Sequence, residues 1–105
     1  MEFSHEVHGK CVIAEITQKQ LEGFQRKIKG LEDEPMAVWR GTVVRAGIEG
    51  GFLAEPAMTL DAVGDAKPVL VAWIADCLLS AINEAMGISP LSSLQPQTAP
   101  KEEQG

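Results

Sequence analysis

The stretch from Ala66 to Met86, AKPVLVAWIADCLLSAINEAM, constrains the fold more than any other part of the chain. Wound as a helix, it is apolar over most of its circumference, and Asp76, Ser80, Asn83 and Glu84 form one narrow polar stripe. Such a helix is stable in water only with other elements around it, so it is expected at the centre of a domain. Asp65 is placed to cap it, Pro68 fits its first turn, and Gly87 stops it. No apolar run approaches the ~20 residues of a membrane span, and MEFSHEVHGK lacks the apolar core of a signal peptide. A soluble, cytoplasmic protein with no membrane attachment is expected.

The elements that cover this helix can be read upstream. Thr17 and Gln20 form a capping box, and Ile16 and Leu21 are spaced as a hydrophobic staple. The helix they start carries Leu21, Phe24 and Ile28 on one side and closes at Gly30. The acids and proline of Glu32-Asp33-Glu34-Pro35 begin a second helix, about 34–49, that ends at Gly50-Gly51. Its apolar arc gathers Met36, Ala37, Trp39, Val43, Val44, Gly47 and Ile48, with Arg40 inside the arc. Before these helices, residues 2–16 read as a β-hairpin turning at Gly9-Lys10. That register pairs Val7 with Val12, His5 with Ala14 and Phe3 with Ile16 on the buried face. Ser4, Glu6, His8, Cys11, Ile13 and Glu15 fall on the other face. Residues 50–65 read as an irregular connection, and FLAEPAMTLDAV leaves a short helix or a third strand open.

The expected fold is therefore α+β and mostly helical, an N-terminal β-hairpin packed on about three α-helices. Residues 1–88 make one small globular domain, and 89–105 a flexible, disordered Pro/Gln/Ser-rich tail. At 105 residues the chain can bury roughly two thirds of its surface, enough for a core without metal or disulfide staples. Two cysteines, Cys11 and Cys77, are expected as reduced thiols.

Fifteen acidic against nine basic residues leave a net charge of −6, which disfavours nucleic acid as a partner. The cations Lys19, Arg26, Lys27 and Lys29 cluster on one helix, but Glu22 interrupts them. His5-x-x-His8-x-x-Cys11 has metal-like spacing. In the register above only His8 and Cys11 share a face, too few for a structural zinc site. No nucleophile–base grouping stands out, and GIEGGF follows a helix rather than a strand, so it is not a dinucleotide fingerprint. No enzyme activity, metal or cofactor is expected.

What remains is binding to another protein, through the last helix. Trp73 falls on its polar stripe with Val69, Asp76 and Ser80, where an aromatic residue suits a contact surface. The competing reading has the hairpin or the first helix covering Trp73 as core. Arg40 either snorkels, laying its stem over apolar surface, or pairs with Asp76.

EITQKQLEGFQRKI, then WRGTVVRAGIEGGFL, then a long apolar helix ending GISP, resembles small proteins of phage and prophage tail gene clusters, the tail assembly chaperones. The resemblance spans about residues 1–90 and rests on Thr17, Leu21, Phe24, Trp39, Arg40, Arg45, Gly50 and Gly51. It implies a non-enzymatic protein, in the host cytoplasm, that holds a tail structural protein before assembly. Two alternatives stay open: a virion component, such as a tail-completion or connector protein, forming a homo-oligomeric ring, and a small acidic regulator of a host protein.

Overall fold

Residues 1–87 are described by the structure, a computed structural model of the chain. The tail assigned to 89–105 lies outside them, and so does the domain boundary at 88. The order of elements is β1 (Glu2–His5), β2 (Gly9–Ile13), α1 (Gln18–Ile28), α2 (Met36–Gly50), β3 (Leu53–Glu55), α3 (Leu60–Asp65) and α4 (Pro68–Ala85). The strands form an antiparallel sheet in the order β1-β2-β3. The fold is α+β and mostly helical, as expected, with a third strand and a fourth helix added by residues 53–65. That segment is not irregular: Leu53–Glu55 extends the sheet, and Thr59 caps α3 by accepting from the Ala62 N–H at 3.2 Å. Asp65 accordingly ends α3 instead of capping α4, whose N-cap is Lys67 with Pro68 directly after it.

The Thr17 capping box closes α1 as its spacing predicts. The Gln20 N–H donates to Thr17 Oγ1 (3.2 Å), and the Thr17 N–H to Gln20 Oε1 (2.9 Å). The other end of the same amide, Gln20 Nε2, donates to the Gly50 carbonyl at 2.8 Å and ties the start of α1 to the end of α2. Across these helices Lys27 and Glu49 pair in solvent, a contact worth at most about 1 kcal/mol. The end of α2 is a Schellman motif. Gly51 takes a left-handed conformation (φ 81°), its N–H donates to the Ile48 carbonyl, and the Phe52 N–H donates to the Gly47 carbonyl. Phe52 then turns into the core, fully buried, with its ring 5.8 Å from that of Phe24.

The hairpin departs from the expected register. Glu2 pairs with Val12, Phe3 with Cys11, Ser4 with Lys10 and His5 with Gly9, around a turn at Glu6–His8. His5 causes the shift: its Nδ1 accepts from the N–H groups of Val7 (3.0 Å) and His8 (3.3 Å), closing a three-residue turn, and Gly9 follows at φ 89°. Because side chains alternate, an odd shift in pairing exchanges the two faces. Cys11 and Ile13 are therefore core, at 0 % and 1 % exposure, whereas Val7, assigned to the buried face, is 80 % exposed.

The centre of the domain is α4, as its composition requires. It buries Val71, Ile74, Ala75, Cys77, Leu78, Ala81 and Ile82 and leaves Asp76, Ser80, Asn83 and Glu84 exposed. By length and composition alone this helix matches a membrane span, contrary to the sequence expectation, but it packs against α2 and β2. Helix α2 runs alongside in the same direction: its first turns and those of α4 line one cavity, and further on Gly47 abuts Leu78. The burial of α2 sits on Gly41, Val43, Val44, Ala46 and Gly47, while Met36 and Ala37, expected in the apolar arc, are exposed.

Candidate functional site

The residues singled out on the last helix divide between two places. Val69, Asp76 and Ser80 lie on the exposed side of α4. Trp73, one turn after Val69, is half-buried, because the hairpin turn folds over it. The rings of His5 and His8 stack at 4.5 Å and stand 5.6 Å and 5.5 Å from the Trp73 ring. Trp73 also packs against the buried core cluster. Thus it is shared between core and surface, and its outer face is an aromatic cluster rather than a bare indole. The same stack separates the three residues of the metal-like spacing: His5 and His8 lie together on Trp73, and Cys11 points inward. Among the described residues, no group of three His, Cys, Asp or Glu is placed to hold a metal.

Arg40 is elsewhere. It lines a cavity of about 380 Å³ between α2, α3 and the start of α4, and makes no ion pair with Asp76. Arg45, five residues on, lines the same cavity. The walls are aliphatic, formed by Val38, Val63, Pro68 and Val71, and no lining residue is acidic. Neither guanidinium has a carboxylate or hydrogen-bond partner among the described residues, and both arginines are half-buried. Two glycines flank the Arg45 guanidinium. A Cβ on Gly41 would stand 3.2 Å from Nη1, closer than side chains usually pack, whereas one on Gly64 would meet Nη2 at an ordinary 3.7 Å, so it is Gly41 whose missing side chain leaves room for the guanidinium. The sequence points to Arg45 only through the resemblance, not as a site residue, although Gly41 precedes it by one helical turn. The contribution of Gly64 depends on α3 and was not legible.

Cys11 of β2 and Cys77 of α4 meet in the core, both buried and free, close enough for each thiol to influence the other's ionisation. Burial pushes the Cys77 thiol up to about 12, with Cys11 and the Asp76 carboxylate adding to the shift. Burial raises Cys11 as well, opposed in part by its interaction with the Cys77 thiol. Neither is thereby poised as a nucleophile, since the thiolate is the reactive form. The raised values make a pH prediction. A thiol whose folded pKa lies above its unfolded value stabilises fully below the unfolded value, near 9, and loses that contribution as pH rises towards about 12. The urea midpoint of the wild-type protein is expected to fall more steeply over this range than that of a Cys11→Ala/Cys77→Ala variant. Parallel falls would show that the pair does not titrate with unfolding.

Comparison with protein-family models, with curated proteins and with solved structures finds no match for this chain.

Proposed function

We propose that this chain is a non-enzymatic protein-binding module whose docking surface is the shared N-terminal end of α2 and α4. The observation that carries the reading is the exposure of large apolar side chains there: Met36 at 60 %, Val38 at 45 % and Val69 at 63 %. Scattered exposed apolar residues are ordinary, but here Val38 and Pro68 line one cavity mouth, Met36 opens α2, and Val69 follows Pro68. The aromatic cluster of Trp73, His5 and His8 extends this surface one turn along α4. Nothing in the core needs these side chains outside, so a partner's apolar surface is the natural cover. In the context that the resemblance implies, the partner is a tail structural protein awaiting assembly, and the module is an assembly chaperone or accessory protein.

The test is a photo-crosslinker at position 69, used in the cells that express the chain, with a second crosslinker at the exposed Glu22 as control. The expected result is a product with one other protein that is absent from the Glu22 control and lost in a Val38→Ser/Met36→Ser background that still folds. A product of twice the chain's own mass would transfer the surface to a homo-oligomer, the arrangement of a virion component. Identical products from both positions would sink the docking reading.

A further inference from the structure

We infer that the Arg40–Arg45 cavity is a binding site for an aliphatic carboxylate, a ligand with one planar anionic head and a short hydrocarbon body. Three features of this cavity converge on this. The volume, about 380 Å³, is that of a small-ligand site. The walls provided by Val38, Val63, Pro68 and Val71 are apolar, so the ligand's body is apolar too. Two arginines line it, neither with a carboxylate partner among the described residues, in a chain with six more acids than bases, and the Arg45 guanidinium lies beside the lining glycines Gly41 and Gly64. Guanidinium is the side-chain group best matched to a carboxylate, because its planar fork donates two parallel hydrogen bonds to the two oxygens. Inorganic anions satisfy the arginines but not the walls, and neutral aliphatic molecules the walls but not the arginines.

The setting of Arg45 supports a built site over a snorkelling side chain. Its guanidinium reaches from α2 to α3: Nη1 sits where a Cβ on Gly41 would crowd it at 3.2 Å, and Nη2 lies beside Gly64. Arg40 lines the cavity five residues before Arg45 on α2. One source of such a carboxylate is a free short-chain acid. The other is the terminal residue of a peptide chain, whose α-carboxylate sits beside an apolar side chain. The chemistry is the same for both, and the inference does not depend on the docking surface proposed above.

The test uses the full-length, isotope-labelled chain, titrated with sodium hexanoate and followed by amide chemical shifts. Hexanamide, sodium acetate and sodium sulfate serve as comparisons. Hexanoate is expected to move the amides of Val38, Arg40, Gly41, Arg45, Gly64 and Val71 with a dissociation constant of about 1 mM, and hexanamide, acetate and sulfate to bind at least about tenfold more weakly. Arg40→Gln/Arg45→Gln is expected to abolish the shifts. Gly41→Ala keeps both charges and meets only the end of the Arg45 side chain, so it should fold normally and weaken hexanoate several-fold. Acetyl-Ala-Leu, compared with its amide, separates the sources: tighter binding than hexanoate, lost on amidation, assigns a peptide terminus, and weaker binding assigns a free acid. Sulfate or hexanamide binding as well as hexanoate would overturn the inference, as would shifts absent at about 50 mM hexanoate.

Discussion

Phe52→Ala is expected to cost about 3–5 kcal/mol, a large share of the stability of a domain this size. Phe52 is fully buried, its ring is tilted against Phe24, and its backbone joins two parts of the fold. Its N–H donates to the Gly47 carbonyl at the end of α2, and its carbonyl accepts from the Ala14 N–H beside the sheet at 2.8 Å. Alanine keeps those backbone bonds and removes the ring, so the loss is one of packing alone. Each kcal/mol lowers the melting temperature of such a domain by about 4–8 °C, which puts the variant tens of degrees below the wild type. Phe52→Leu fills part of the space and should recover a substantial share of the loss. A thermal melt within a few degrees of the wild type for Phe52→Ala would show that this ring does not hold α2 to the sheet.

The second large effect concerns the contact of α2 with α4. Leu78 is fully buried, and a Cβ placed on Gly47 would stand 2.9 Å from both of its δ carbons. Leu78→Ala is expected to cost about 2–5 kcal/mol. Gly47→Ala would gain up to ~1 kcal/mol of helix propensity on an exposed helix. Here the added methyl meets a side chain with no free space, and overpacking of this kind costs about 1–3 kcal/mol, so a net destabilisation is expected. The two changes should compensate when combined, because the methyl enters the space that Leu78 vacates. A double-mutant cycle is expected to give a favourable coupling of about 0.5–3 kcal/mol. Strict additivity would mean that the helices are not as close as the structure has them.

Glycines mark several key points of this fold in the sequence, and their meaning is legible there to different degrees. Gly30, Gly51 and Gly87 follow helices whose periodicity stops there, and all three take positive φ angles. The Thr17–Gln20 box was equally legible, since both partners lie within one turn. The interior of α4 could be read from its composition, because a helix apolar nearly all round has few places to go. What escaped was whatever needs a partner far along the chain or an unusual acceptor. The hairpin turned three residues earlier than its Gly-Lys pair suggested, because an imidazole nitrogen, rather than a glycine in a two-residue turn, organised the loop. The third strand is short and takes its stability from β2, some forty residues upstream. At the cavity, Arg40 stood out inside an apolar arc, where snorkelling or a pair with Asp76 were its readings, and the Asp76 pair is absent among the described residues. The arrangement with Arg45 and Gly64 exists only once α3 is folded against α2.

The hydrogen bond from Ala14 to Phe52 has a topological consequence. Everything between those residues, both α1 and α2, leaves the sheet and returns to nearly the same point. The helical pair is thus an excursion clamped at its base, with Gln20 bridging to Gly50 as a second clasp one turn away. Its far end, the exposed turn at Glu32–Pro35, carries none of that closure. Lengthening the chain there leaves the anchored ends where they are and adds only the slowly growing entropy of a longer loop, ~0.6 kcal/mol for each doubling. New sequence can therefore be accommodated at this turn while the sheet, the Arg40–Arg45 cavity and the α4 surface keep their places.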